Sequence, residues 1–299
     1  MNTSTQSFDH LIKIINESAG TIQRDRGTYF EQLVQIYLQN EPIYKNLYSD
    51  VWQLKDVPKE YGIPKKDTGV DLVAKNRNTG ELTAIQAKFY QGKVGKAEIN
   101  SFIAELGKSY YSAGMIVSTT DEWNQNALDT VDSQTKQVQK IGLSDLRHSK
   151  IDWSSIDFEK PKEIIVKSYK KTRDYQDKAI ELAKEYFKTH DRGMLVMAPG
   201  TGKTFTSLKM VEQFAKDSNQ KVYNVLYLVP SIQLLTQTLF GWNADCSDEF
   251  VLNSFAVTSD RKATKKKAND DDADILATDI GFPATTNAVE VVKNHRTLK

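Results

Sequence analysis

Sulfur and imidazole are scarce in this chain. Its 299 residues include one cysteine, Cys246, and four histidines, His10, His148, His190 and His295. The count excludes a disulfide framework, and the histidine spacing excludes a Cys/His zinc site. Long apolar runs are missing as well. The N-terminal "MNTSTQSFDHLIKIINESAG" is polar and then amphipathic, without an apolar core of signal-peptide length, and no later run could span a bilayer. These absences predict a cytoplasmic protein with no membrane partner. An excess of one charge is also lacking: 40 Lys and Arg balance 39 Asp and Glu, for a net charge of +1. Overall charge therefore gives no argument for nucleic acid. Lysines gather locally in "EKPKEIIVKSYKKTR" and "RKATKKK", and each cluster alone reads as a solvated basic surface. What is present, 39% hydrophobic and 26% charged residues, describes an ordinary globular chain of a length suited to about two domains.

Apolar residues recur at helical spacing from Ser7 to about Gln39 (Phe8, Leu11, Ile12, Ile15, then Phe30, Leu33, Val34, Tyr37, Leu38), which predicts two helices broken near Gly20 and Gly27. "DLVAKNRNTGELTAIQAKFY" reads as two strands around an Asn-Thr-Gly turn. A helix from about Lys96 to Tyr111, a short strand in "AGMIVSTT" and a polar helix over 122–137 follow. "KIGLSDLRHSKIDWSSIDFEKPKE" reads as a closing strand and an exit linker, with the domain boundary near 155–168, giving domains 1–160 and 161–299. Beyond it, "RDYQDKAIELAKEYF" is helical, "GMLVMAPGTGKTFTSLKMVEQFA" is strand, glycine loop and helix, and "VYNVLYLVPSIQLLTQTLFGW" is strand, turn and helix. That alternation predicts a parallel sheet covered on both faces. "DRKATKKKANDDDAD" is the one low-complexity segment and reads as a loop.

Strict alternation in "ELTAIQAKFYQG" sets Ile85, Ala87 and Phe89 on one face and Gln86 and Lys88 on the other. An amide and an ammonium side by side on a mostly apolar strand are costly to bury unpaired, so that face is either wet or built to hold something. The hairpin brings Asp71, just after Gly69, toward Gln86 and Lys88. Phosphodiester hydrolysis needs a divalent cation to polarise the phosphate and activate water, and a positive group for the developing charge. Asp71 can hold the cation and Lys88 the charge, while the side-chain carbonyl of Gln86 and the backbone carbonyl of Ala87 are hard ligands suited to Mg²⁺. A second constellation, "APGTGKT" at 198–204, follows an apolar run and opens a helix. In that context Gly200, Thr201 and Gly202 let backbone amides crowd a phosphate, Lys203 reaches the β/γ oxygens of ATP, and Thr204 can ligate Mg²⁺.

"GVDLVA" with "AIQAKFY" resembles the PD-(D/E)xK nuclease superfamily, in particular its Mrr-like branch, in which Gln stands for the acid of the triplet. "RGTYFEQLVQIYL" resembles the helix before the hairpin in that branch, which makes Glu31 an additional acid near the metal. Replacing a carboxylate by Gln86 weakens metal affinity, and Glu31 is the compensation that the resemblance suggests. Ala198 in place of the first glycine of the phosphate loop looks like helicase superfamily 2. "RDYQDKAI" resembles the adenine-reading motif of those motors, with Gln176 at the adenine edge and Arg173 and Tyr175 packed around it. "VPSIQLLTQT" resembles their first track-contacting motif, through Pro230, Ser231 and Gln237. "FPATT", with Thr285 and Thr286, is a looser match to the next.

The combined order is similar to the N-terminus of single-polypeptide (Type I SP) ATP-dependent restriction-modification enzymes. That resemblance implies an α/β protein: a restriction-endonuclease-like mixed sheet flanked by helices, then part of a RecA-like parallel α/β lobe. It implies a Mg²⁺-dependent endonuclease coupled to an ATP-driven translocase on double-stranded DNA, with a second motor lobe, a methyltransferase and a target-recognition domain elsewhere in the same polypeptide. An acidic Walker B strand is not found: Asp121-Glu122 falls in the other domain and Asp248-Glu249 follows no apolar strand. The expectation is therefore an N-terminal fragment that binds ATP weakly and hardly hydrolyses it. The alternative is a nuclease fold that has lost activity and anchors DNA beside the motor; a third reading, a stand-alone P-loop regulator or kinase, is disfavoured by the adenine-reading motif and the absent Walker B acid.

Overall fold

The computed structural model describes residues 3–18, 23–66, 69–90, 92–156, 170–258, 284, 285, 289, 291 and 292. The chain divides into two compact units, Met1–Lys167 with Phe255–Leu298, and Ser168–Ser254. Among the described residues no helix is long and apolar enough to cross a membrane.

The first unit is built on a five-stranded sheet in the order β1-β2-β3-β4-β5. Its strands are β1 (Tyr48–Gln53), β2 (Leu72–Asn76), β3 (Leu82–Lys88), β4 (Ala113–Ser118) and β5 (Val138–Ile141). The β1–β2 and β2–β3 ladders are antiparallel and the β3–β4 and β4–β5 ladders parallel, so the sheet is mixed, with β3 at the change of direction. The hairpin turn is an Asx turn. Asn76 Oδ1 accepts from the N–H groups of Asn78 and Thr79 at 2.9 and 3.0 Å, and Gly80 closes it at φ 71°.

Helices α1 (Thr3–Ser18) and α2 (Gln23–Asn40) bury Phe8, Leu11 and Ile15, then Phe30, Leu33, Val34, Tyr37 and Leu38, an apolar stripe at helical spacing. The predicted break near Gly20 lies outside the described residues. The break at Gly27 does not occur, because α2 runs through it and the downstream stripe holds the helix together despite the glycine. On the other side of the sheet, α4 (Lys96–Leu106) sets Ile99, Phe102 and Leu106 into a core with Val73, Ala84, Ile116 and Val138. It ends at Gly107, short of the expected Tyr111. The polar helix expected over 122–137 is the shorter α5 (Gln125–Asp132), capped by Asn124, whose side chain accepts from Ala127 N–H at 2.8 Å.

Among the elements of the first sheet and its helices, three went unread in the sequence: β1 is an edge strand, α3 (Pro42–Leu47) leads into it, and α6 (Leu143–His148) follows β5. Residues 143–155, expected to begin an exit linker, send Leu146, Ser149, Ile151 and Trp153 into the core instead. Trp153 is fully buried, donates from Nε1 to Leu146 O at 2.8 Å and meets the rings of Phe8 and Tyr37. Glu41 is buried beneath this segment and accepts from Ser149 Oγ at 2.6 Å and Lys150 N–H at 2.9 Å. The lysine-rich continuation, 157–169, lies outside the described residues.

The second unit holds α7 (Asp174–Tyr186), α8 (Lys203–Ser218) and α9 (Ile232–Asp245). The predicted strands around 194–198 and 222–229 form no ladder among the described residues. Their apolar side chains stand in solvent, Met194 at 87% and Leu226 at 84% exposure. Both-face hydrophobicity suits a strand only when strands flank it, and residues 170–254 supply none. β6 (Ala256–Val257) pairs in parallel with β7 (Ala284–Thr285), which places Thr285 in a short bridge; Thr286 lies outside the described residues. So do the low-complexity segment and the basic cluster within it.

Candidate nuclease centre and phosphate loop

Leu72 pairs with Ile85 and Val73 with Ala84. Asp71 directly precedes β2, and Gln86 and Lys88, two residues apart on β3, fall on the same face of that strand. β2 begins at Leu72, so the Ala87 N–H has run out of ladder partners. The carboxylate of Asp71 takes that place, with Oδ2 accepting from Ala87 N–H at 2.7 Å. The Asp71 backbone is fixed on both sides, its N–H donating to Ile85 O and its carbonyl accepting from Leu54 N–H, each at 2.9 Å.

Gln86 is wholly buried, and its Nε2 donates to Gly69 O at 2.9 Å. A carbonyl can only accept, so this bond fixes which end of the amide is nitrogen. The other end, Oε1, is buried without a hydrogen-bond partner among the described residues. A buried, unpartnered carbonyl oxygen is unfavourable unless something electropositive meets it. Gly69 makes the arrangement possible. It sits at φ 89°, and a Cβ there would stand 2.4 Å from Ser101 Oγ and 2.9 Å from Phe102 N on α4, so only glycine lets the turn lie this close to the helix.

Lys88 is partly buried and makes no ion pair among the described residues. Its backbone is held by Thr119, whose N–H donates to Lys88 O at 3.2 Å. Beyond the strand, Thr119 Oγ1 accepts from Tyr90 N–H at 2.7 Å and donates to Tyr90 O at 2.9 Å, locking β3 to β4 past the end of the ladder. Glu31 is half-buried on α2, beside Phe30, whose ring meets Phe89 edge-on at 5.9 Å at the end of β3. No group of three or more His, Cys, Asp or Glu capable of holding a metal occurs among the described residues. The oxygen set that the hairpin offers is thus one carboxylate, one side-chain carbonyl and the Ala87 backbone. Such a set fits a hard cation that keeps several waters, and the orphaned Gln86 Oε1 is the atom whose chemistry such an ion would satisfy.

In the second unit Gly200 and Gly202 lie at φ 76° and 80°, left-handed conformations that let the loop turn tightly into α8. A Cβ on Gly202 would meet Gln176 Nε2 at 2.8 Å. Lys203 is exposed, and its ammonium rests on the loop's own carbonyl, Ala198 O, at 2.9 Å, where Thr201 Oγ1 also donates at 2.7 Å. An ammonium held by one backbone oxygen fits a group that transfers to phosphate. Gln176, at 4% exposure, has both amide atoms engaged: Nε2 donates to Thr201 O at 3.0 Å and Oε1 accepts from Arg173 N–H at 3.0 Å. Tyr175 OH donates to the same Thr201 carbonyl at 3.1 Å. In this arrangement Gln176 and Tyr175 grip the phosphate loop, and Arg173 contributes its backbone as the N-cap of α7.

A mixed α/β sheet with Gln86 and Lys88 on β3 and Asp71 bonded to Ala87 beside them, followed by a glycine loop on a helix N-terminus, is the arrangement of a nuclease-type domain joined to a helicase-type one. Residues 39–163 match the restriction endonuclease family Mrr_cat_2, and residues 169–291 match the family of the Type III restriction enzyme res subunit. The chain pairs a restriction-nuclease domain with a restriction-enzyme helicase domain, as the Type ISP restriction-modification enzymes do. It is 56% identical to the ATP-dependent Type ISP restriction-modification enzyme LlaBIII bound to DNA, over 92% of this chain and 17% of that one, with a TM-score of 0.80. A nuclease-deletion mutant of the Type ISP enzyme LlaGI, in complex with a DNA substrate mimic, is 55% identical over 42% of this chain and 11% of that one, with a TM-score of 0.34. The chain spans 17% of the length of LlaBIII. No curated protein matches it.

Proposed function

We propose that residues 1–160 are a Mg²⁺-dependent DNA endonuclease and that residues 161–299 belong to the first lobe of an ATP-driven translocase on double-stranded DNA. Together they form part of a cytoplasmic restriction-modification enzyme. The second motor lobe, a methyltransferase and a target-recognition domain in the same polypeptide are its partners, by likeness to the Type ISP enzymes. The observation that carries the nuclease reading is the buried, unpartnered Oε1 of Gln86, next in the chain to the Ala87 N–H that Asp71 accepts from and two residues from Lys88 on β3.

Asp71, Gln86 Oε1 and Ala87 O would hold the ion. When bound, Mg²⁺ polarises the scissile phosphate and lowers the pKa of an attacking water. Lys88, on a strand end fixed by Thr119, sets a positive charge where the phosphate oxygens become more negative. Asp71 has two tasks, because the oxygen that accepts from Ala87 N–H orients the carboxylate that faces the ion. Glu31 is an auxiliary acid at the same end of β3. In the second unit, Gly200, Thr201 and Gly202 cradle the phosphates of ATP, Lys203 moves from Ala198 O to a phosphate oxygen, and Thr204 supplies its hydroxyl to Mg²⁺.

Plasmid nicking with and without Mg²⁺, by wild type and by Lys88→Ala, tests the nuclease reading. Scission by wild type that requires Mg²⁺ and is lost in the variant is the expected result, and equal cutting by both would remove Lys88 from the site. Gln86 where the wider superfamily has an acid motivates a second reading, a DNA anchor without scission. DNA binding in EDTA together with no cutting in Mg²⁺ or Mn²⁺ would favour it.

A further inference from the structure

We propose that Trp242 is a positioning residue that couples the phosphate loop to the DNA-contacting end of α9. The inference rests on the reading of residues 198–204 as an ATP site and of Pro230 and Ser231 as contacts to the track. Trp242 is 6% exposed, and its indole Nε1 donates to the backbone carbonyl of Thr204 at 3.0 Å. Thr204 is the second residue of α8 and directly follows Lys203. Its carbonyl also accepts from Ser207 Oγ at 2.8 Å and lies within a helix, where an amide one turn on is the usual partner. The indole bond is therefore not needed to satisfy α8. It ties the first turn of α8 to a different helix.

The other face of the indole leads to the track. Its ring meets Tyr227 edge-on, with centroids 5.0 Å apart, three residues before Pro230. Ser231 caps α9, its Oγ accepting from Leu234 N–H at 3.2 Å, so the residue expected at the DNA backbone also sets the helix start. From Ser231 to Trp242 is eleven residues, a lever of about 16 Å at the rise of an α-helix. One end of α9 thus holds the carbonyl of the loop threonine, and the other carries the track contact. A shift of the loop on phosphate binding turns the first turn of α8, and the indole bond passes that turn to α9. A tryptophan that merely satisfied its own N–H inside a core would influence stability without linking the two ligands.

Linkage measurements on the 299-residue chain separate these roles. The affinity for MgATPγS is measured with and without a 30-base-pair duplex, and the affinity for the duplex with and without MgATPγS, in wild type and in Trp242→Phe, which keeps a ring against Tyr227 and removes the donor. Wild type should show one and the same coupling factor from both directions, of about fivefold or more. The variant should retain each separate affinity within about threefold while the factor falls to within twofold of unity. A factor unchanged in the variant, or a wild-type factor of one with both ligands bound, overturns the coupling role. A wild-type chain that binds no nucleotide or no duplex overturns it together with the site reading beneath it, and is told apart because no affinity then exists to compare. Should Trp242→Phe fail to fold, the ¹⁵N-indole resonance of Trp242 in the wild-type chain decides. It must shift on adding MgATPγS and again on adding duplex, and an unmoved resonance overturns the proposal.

Discussion

Asp71 Oδ2 accepts a 2.7 Å hydrogen bond from the Ala87 N–H, so the carboxylate stands in for a strand that has already ended. The bond needs only an oxygen, whereas metal holding needs the charge. Asp71→Asn keeps an acceptor for Ala87 and should leave the melting temperature within a few degrees of wild type. Loss of the charge should lower Mg²⁺-dependent nicking by about 10²-fold or more, the scale of several kcal/mol of lost charge stabilisation. Melting curves beside the nicking assay check both halves.

Gly69→Ala should destabilise the first unit, because φ 89° and the 2.9 Å approach to Phe102 N leave no room for a methyl group and the facing atom is backbone. A cost of about 1–3 kcal/mol is expected for strain of this kind, a drop of roughly 2–4 °C in Tm per kcal/mol for a domain of this size. Nicking should fall further than the remaining folded fraction accounts for, since Gly69 O anchors Gln86.

Gln86→Glu would set a buried carboxylate against the Gly69 carbonyl, with no donor left to make that bond. Burial favours the neutral acid, so the folded-state pKa of the new group lies above its unfolded value of about 4.3. Its stability is fully present below that unfolded value and declines as pH rises. Without metal, the variant should lose Tm between pH 5 and 8 relative to wild type, and Mg²⁺ should restore it by meeting the charge. A variant whose Tm follows wild type across this range and ignores Mg²⁺ would show that the site does not bind the ion.

Gln176→Ala removes two partly buried hydrogen bonds, to Thr201 O and from Arg173 N–H. The cost should be about 1–3 kcal/mol through the unsatisfied loop and cap, and binding of ATP and GTP should weaken alike. Selective loss of ATP would instead make the amide a reader of adenine. Titrations with both nucleotides distinguish the two.

Burial, with Glu212 adding to it, pushes the Cys246 thiol up to about 12. In the folded chain it should resist alkylation at pH 8 and react once the second unit unfolds, giving a label for local opening. The sign of its pH effect follows: the neutral thiol is the form the fold prefers, so its contribution is intact below the unfolded value of about 8.5 and fades as pH rises toward 12. Quantitative labelling of the native chain at pH 8 would contradict the burial.

Much of the first unit was legible in residue order. The stripe from Phe30 to Leu38, the Asn76–Gly80 turn and the alternation through Gln86 and Lys88 are local patterns, and local patterns carry α2, β2 and β3. β1 was not legible, because "YSDVWQ" has no clean alternation and is a strand only through its ladder with β2. The stretch from Leu143 to Ser155 read as a linker because its polarity is local while its burial is not. Trp153 and Ser149 are drawn inside by Phe8, Tyr37 and Glu41, more than a hundred residues earlier. The opposite error fell on 194–198 and 222–229, where apolar composition reads as strand but no neighbouring strand among the described residues completes the backbone bonds.

By itself the sequence determined which chemistry is available: a carboxylate, an amide and a lysine around one hairpin, and a glycine loop ahead of a helix, because residue type and spacing set what a side chain can donate, accept or charge. Tertiary structure alone decided how those groups are held. The close approach of α4 makes Gly69 obligatory and turns the Gln86 amide so that its oxygen is left over, and the fold of the second unit spends the Gln176 amide on the loop itself. Hydrogen bonds are directional and exclusive, so the partner an amide meets in space, which no spacing rule foretells, settles what remains free to bind.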